Sequence, residues 1–270
     1  MTLPRAALLK AVFFASVTLL SSGCVAGIMD LAEGDGLQTV EVYEPFFQVM
    51  DVGLQRSMSV EGINGTIHIR GVVGTDKVVI DAIRRVRSDT RRDAEEQLTH
   101  LNVFVLDHPD GFLIQTVQPE EAQHRSYEVD YLVTVPAHLA VVVFNTNGSV
   151  RIEGTHADVG VENRNGDVVL KDVSGSAWVD LANGVVDTDI LLPEGGEILH
   201  AVGNGGVRLR VQREASAEIF AGVGNGSISV AGLELLHQVS EPRTFQALMG
   251  NGDGLIDLTV GNGWIEVRGR

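Results

Sequence analysis

The dipeptide Asn-Gly returns at Asn147-Gly148, Asn165-Gly166, Asn183-Gly184, Asn204-Gly205 and Asn225-Gly226, at spacings of 18, 18, 21 and 21 residues. A fixed period near 20 residues marks stacked units, each burying its apolar face only against its neighbours. The flanks carry the same message. Counted from each Asn, apolar residues recur at −6, −4 and −2: Ala177, Val179 and Leu181 precede Asn183, Ile219, Ala221 and Val223 precede Asn225, and Phe245, Ala247 and Met249 precede Asn251. Others recur at +3 and +5, as Val150/Ile152, Val168/Leu170, Val207/Leu209, Ile228/Val230 and Ile265/Val267. Alternation on both sides of a turn means two half-buried strands per unit. The pattern breaks at Asn145 and Asn163 (−2), His200 (−4) and Thr188 (+5).

Asn-Gly between alternating strands is also the strongest hairpin signal. A meander, however, gives no reason for one dipeptide to return at one corner every circuit, and a coil does. Asn and Gly tolerate the left-handed backbone of a tight corner, and stacked Asn amides can bond to one another along the pile. The expected fold is all-β, a parallel β-helix or β-roll solenoid over residues 38–270. Its corners are Asn64, Gly65, Asn147, Gly148, Asn165, Gly166, Asn183, Gly184, Asn204, Gly205, Asn225 and Gly226. Residues 89–117 break the theme: DTRRDAEEQLTH reads as a short helix with Asp89 as N-cap, and two strand-like runs follow around His108-Pro109-Asp110-Gly111. Asn251 and Asn262 are only 11 residues apart. The end is therefore expected to leave the coil as an antiparallel hairpin that covers the last open rung.

The first 23 residues read as a signal peptide: Arg5 and Lys10, an apolar run from Ala11 to Leu20, then Ser21-Ser22-Gly23-Cys24. A lone cysteine cannot form an internal disulfide, so its place needs another reason. The arrangement resembles a bacterial lipoprotein lipobox, cleaved before Cys24, although the usual Leu three residues ahead is Ser21. Plain secretion and an uncleaved anchor are the alternatives. Residues 24–37, with Asp30, Glu33 and Asp35, read as an acidic tether. The resemblance implies a membrane partner through lipidated Cys24 and a place in the cell envelope.

With 31 Gly, 7 Pro and 5% aromatics, the composition suits stacked β-structure. A net charge of −16 disfavours nucleic acid as a partner. Gly62-Ile63-Asn64-Gly65-Thr66-Ile67, the polar helical insertion, Val133-Thr134-Val135-Pro136 and the Asn-Gly-Ser-Val, Asn-Gly-Asp-Val and Asn-Gly-Ser-Ile repeats together resemble the bacterial putative-adhesin family, β-solenoids known mainly as a domain of unknown function. The resemblance covers residues 38–270. It implies fold and carries no catalytic residues.

No constellation in the sequence reads as catalytic, and none calls for a cofactor. Asn251-Gly252-Asp253-Gly254-Leu255-Ile256-Asp257 imitates an EF-hand loop, but Met249 and Val260 stand where the first and last ligands belong. The glycines around Asn204 and Asn225 precede strands and offer no helix N-terminus to phosphate. The eight histidines show no metal spacing, and His200 falls inward. Asp187 and Asp189 share one outward face, the one carboxylate pair a carbohydrate enzyme could use. Arg84, Arg85, Arg87, Arg91 and Arg92 form the single basic cluster, either a solvated, acid-paired face or a contact patch for an anionic polymer. The sequence points to a non-catalytic envelope binder or scaffold, with an unidentified envelope protein or surface polymer as partner. The alternative is a periplasmic accessory protein in envelope maintenance or stress sensing.

Overall fold

The computed structural model describes residues 27–30 and 40–270. Every Asn-Gly corner in it has one backbone geometry: Gly65, Gly148, Gly166, Gly184, Gly205, Gly226 and Gly263 all have φ between +117° and +146°. Only glycine sits there without strain. Close stacking demands it as well, since a Cβ on Gly205 would lie 1.7 Å from the Gly184 carbonyl oxygen.

Strands flank or run through each corner. β3 (Ser57–Glu61) and β4 (Ile67–Val72) flank Asn64, β9 (Ala140–Asn147) and β10 (Val150–Glu153) the next corner, and β11 (Val159–Asn165) and β12 (Val168–Ser174) the third. β13 (Ala177–Leu191), β14 (Glu197–Val211), β15 (Ala217–Ala231) and β18 (Gly254–Gly269) continue unbroken through theirs. The pre-corner halves stack in parallel in the order β3, β9, β11, β13, β14, β18, β15. The post-corner halves do the same from β4 through β10 and β12. In-register stacking puts like positions into columns. Val141, Val159, Ala177, Ile198, Ile256 and Ile219 form one inward column, and all are buried. Each fully buried Val or Ile stabilises by about 1.5–3 kcal/mol.

The ends are built differently. Below β4, β8 (Ser126–Pro136) pairs parallel with β4 and antiparallel with β5 (Lys77–Ser88). β2 (Val40–Asp51) continues antiparallel on β5, and β1 (Gly27–Asp30), inside the stretch read as a tether, pairs with Val40–Tyr43 of β2. On the pre-corner side, β7 (Gly111–Val117) lies parallel to β3, and β6 (Asn102–His108) returns antiparallel on it. The helix α1 (Arg91–Leu98) lays buried Ala94 and Leu98 over β2 and β5. Its N-cap is Thr90, one residue after the expected Asp89: Thr90 is extended (φ −133°, ψ 149°) and its side chain accepts from the Asp93 N–H. Among the described residues the fold is thus all-β with one short helix. Eighteen strands there form a single mixed sheet, and the antiparallel pairings at its ends are what the repeat does not encode.

The other end corrects the expectation of a simple terminal hairpin. A hairpin of β16 (Leu236–Ser240) and β17 (Thr244–Met249) does pair antiparallel on the pre-corner half of β15. But β18 then returns and inserts between β14 and β15. Two matches seat it there. Gly206 of β14 leaves room for the Trp264 ring, and Arg208 of β14 bonds Glu266 at 3.1 Å. Beyond the post-corner half of β15 no strand follows among the described residues, so Ile228 and Val230 are only half-buried where Ile265 and Val267 below them are fully covered.

Candidate binding surface

Alternation turns every second residue outward, and the two outer faces differ in chemistry. On the pre-corner face one column reads Leu106, Leu113, Ser59, Val142, Gly160, Trp178, Leu199, Asp257, Phe220. Trp178 is its centre. A Cβ on Gly160 would meet the indole Nε1, Cε2 and Cζ2 at 2.2, 2.3 and 2.6 Å. The indole therefore occupies the space that a side chain on residue 160 would need. Trp178 and Leu199 are half-buried, and Phe220 is 36% exposed. Carboxylates border the column. Glu61, Phe144, Glu162, Asp180 and Ala201 run beside it. On its other side stand exposed Asp158, Glu197 and Glu218. From β11 to β15 neither the Trp178 column nor the Asp180 column beside it carries a Lys or Arg.

The post-corner face is a self-neutralising ion lattice. Glu153 gathers Arg151 (2.8 Å), His68 (2.9 Å) and Arg70 (3.3 Å). Burial acts to raise its pKa, but hydrogen bonds from Arg151, His68 and Arg70 outweigh that and hold it down at about 2. Asp187 and Asp189 are both engaged: Asp187 with Arg210 (2.6 Å) and Arg208 (3.5 Å), Asp189 with Arg270 (2.8 Å) and Arg210 (3.7 Å). The second tryptophan, Trp264, belongs to this face and covers Gly206 as Trp178 covers Gly160. Its ring already carries Arg208, 5.2 Å from the centroid.

The corner residues form a ladder of amides. Asn147 donates to Asn64, Asn165 to Asn147, Asn183 to Asn165, Asn204 to Asn183, Asn262 to Asn204 and Asn225 to Asn262, all at 2.8–3.0 Å. Asn64 closes the series by donating to the Tyr127 carbonyl. Asn262-Gly263 is a corner that the regular spacing passes over, and Asn251 is not one. The Asn251 N–H instead donates to Ser216 Oγ. The four breaks in the apolar pattern resolve into partners. Asn145 and Asn163 send their amides to corner carbonyls of Gly65, Gly148 and Gly166. His200 Nε2 meets Thr188 Oγ1 at 3.0 Å across the core. Burial pushes the His200 pKa down to about 4.

The basic cluster is largely consumed by internal pairs. Arg84, Arg85 and Arg87 lie on β5, which runs beyond Ile83. Arg84 pairs with Glu44 and donates to the Leu101 carbonyl, Arg85 pairs with Glu128 and Asp130, and Arg87 with Glu41. Arg91 pairs with Glu95 one helical turn on, while Arg92 is exposed. Cys24 lies outside the described residues, as do residues 1–26 and 31–39 in general. Among the described residues no group of three or more His, Asp or Glu is placed to hold a metal ion, and no helix is long and apolar enough to cross a membrane.

No family model and no curated protein matches the chain. Solved structures that resemble it include a putative cell adhesion protein from Clostridium sporogenes, 10% identical, covering 84% of this chain and 100% of that one with a TM-score of 0.45. A putative adhesin from Bacteroides fragilis, 10% identical, covers 83% and 96% with a TM-score of 0.37. A putative lipid binding protein from Parabacteroides distasonis, 9% identical, covers 83% and 96% at 0.29.

Proposed function

We propose that this chain is a lipid-anchored β-solenoid of the cell envelope that works by binding, as an adhesin-like scaffold, and carries out no chemistry. The observation that carries the reading is the pre-corner face: an aromatic and aliphatic column on fully paired strands, with Trp178 and Leu199 partly exposed and Phe220 exposed at its end. Soluble folds seldom leave such a stripe without a partner. The adhesin-family resemblance of the repeat motifs adds to it, and the lipobox-like Cys24 supplies the anchor. An enzyme acting on carbohydrate is disfavoured because its one carboxylate pair, Asp187 and Asp189, is already occupied by Arg208, Arg210 and Arg270. The basic cluster is a weaker contact patch than the Trp178 face, since its arginines already hold acids.

Cells carrying Cys24→Ala test the anchor. The protein should move from the membrane fraction to the soluble one, and undiminished membrane association would refute lipidation. Crosslinking in intact cells followed by pull-down tests the face. Trp178→Ala should remove the main crosslinked species, whereas an unchanged pattern would mean that contact is made elsewhere.

A further inference from the structure

The large apolar side chains that stay exposed gather at the Asn64 end of the molecule. Phe47 (62%), Val49 (44%), Leu132 (38%), Leu54, Val72 and Val73 lie on β2, β4, β8 or the connections that leave them. Phe47, Val49 and Leu132 share one outer face. Phe47 stands opposite Asp81 and Asp81 opposite Leu132, while Pro45 stands opposite Ile83 and Val49 opposite Val79. The alternate residues of the same three strands, among them Val42, Met50, Val78, Ile80 and Val133, point into the core. Ion pairs frame this apolar window: Lys77 with Asp51 at one end, Arg85 with Glu128 and Asp130 at the other. Asp81, exposed between Phe47 and Leu132, is the charge within it. Outside β2 comes only β1, which covers Val40–Tyr43 and leaves Glu44–Asp51 without a second paired strand among the described residues.

We propose that this outer face of β2, β5 and β8 rests on a lipid bilayer. The inference depends on the reading of Cys24 as the lipidated residue and adds which surface the anchor brings down. The course of the chain names the occupant. β1 runs antiparallel to β2, with Asp30 opposite Val40 and Gly27 opposite Tyr43, so it points the chain before Gly27 towards Glu44 and Phe47. Cys24 is three residues earlier, a reach of at most about 11 Å. An acyl group on Cys24 therefore enters the bilayer close to this window. Exposed apolar side chains grouped in this way mark a contact surface, and so short a tether brings the membrane to them before any other partner. Tethering also makes the contact intramolecular, so that a few apolar side chains suffice. Asp81 sets the depth. A carboxylate among acyl chains is costly, but at the level of the headgroups it can pair with the ammonium of a zwitterionic lipid. The net charge of −16 favours that kind of surface over an anionic one.

The test uses the full-length lipidated chain in vesicles of phosphatidylcholine and phosphatidylethanolamine, with mass spectrometry of the mature chain to show the lipid on Cys24. That thiol is the chain's only one. With it blocked, a cysteine introduced as Phe47→Cys, Leu132→Cys or, at the far end of the stack, Leu236→Cys alone takes an environment-sensitive NBD label. Labels at residues 47 and 132 should shift to shorter wavelength and be quenched by a spin-labelled lipid in the bilayer, while the label at residue 236 should keep its emission in water. Phe47→Asp with Val49→Asp should leave the protein on the vesicles, because the acyl group holds it, and should abolish the shift at residue 132. Both side chains are exposed, and unaltered thermal melting of each variant shows that the fold is kept. The proposal is overturned if the labels at 47 and 132 keep their emission in water, as they would if this face took a protein partner instead. It is also overturned if the label at 236 responds equally, or if the two aspartates leave the shift at 132 intact. Loss of membrane association in Cys24→Ala together with silent labels at 47 and 132 keeps the anchor and removes the resting face. A mature chain without lipid on Cys24 removes both.

Discussion

At the scale of single residues, the informative positions are those where the repeat is broken. His200 and Thr188 each interrupt an apolar column, and they bond to one another across the core. Burial of a neutral imidazole has a pH consequence. The folded pKa is about 4 against roughly 6.5 unfolded. The unfolded chain therefore takes up the proton first, and the stability held above pH 6.5 is lost as pH falls towards 4. The loss amounts to about 3 kcal/mol if no other group compensates. Chemical denaturation at pH 7 and pH 4.5 should show this fall in the natural protein and a smaller one in His200→Gln. Glycine 160 carries a second residue-scale prediction. Gly160→Ala would put a methyl group into the indole of Trp178, so the ring must lift, and near-ultraviolet circular dichroism should report its new setting with the far-ultraviolet spectrum unchanged. Nothing in the sequence pattern marks Gly160 and Trp178 as partners. Asn163, His200 and Thr188 announce themselves as exceptions, but which exception meets which depends on registers between strands that periodicity alone leaves free.

At the scale of elements, the corners and the inward-facing strand positions are legible, because a period-two pattern repeated at one offset has few ways to stack. The order of the last strands is not. The corners at Asn225 and Asn262 fit equally well on the corner at Asn204, and spacing favours the nearer one. What decides is side-chain matching: β18 has Trp264 to lie on Gly206 and Glu266 to meet Arg208, whereas β15 offers Ser227 and Ser229 at the same places. Removing residues 254–270 should therefore free β15 and the β16–β17 hairpin. Amide hydrogen exchange of residues 217–249 should become fast while β9 to β13 keep their protection. Continued protection of β15 would mean that it can dock on β14 directly. The antiparallel layers β2, β5 and β8 escape the repeat for a simpler reason. Their strands are covered on one side by α1 and an end of the stack, so their alternation has no fixed period to follow.

At the scale of the whole molecule, the ladder and the charge are the properties that belong to no single unit. Every ladder amide donates towards the Asn64 end and accepts from the other. Such chains of bonds polarise and strengthen one another. A substitution in the middle, Asn183→Ala, removes two of these bonds and should cost about 1–2 kcal/mol, while Asn225→Ala at the end removes one and should cost about half as much. Thermal or urea unfolding of the two variants checks the ranking, and equal costs would show that the ladder carries no stability of its own. The negative charge is also a whole-molecule property, since the acids of the post-corner lattice are already paired with arginines. The return of β18 has a consequence in time. During synthesis β15 and its hairpin emerge before the strand they must rest on, so this end of the stack cannot grow one rung at a time. It has to wait, with the edge of β14 open, until the final strand arrives from behind and locks between two strands made earlier. An edge left open for that long is where a chaperone or a second chain would gain access.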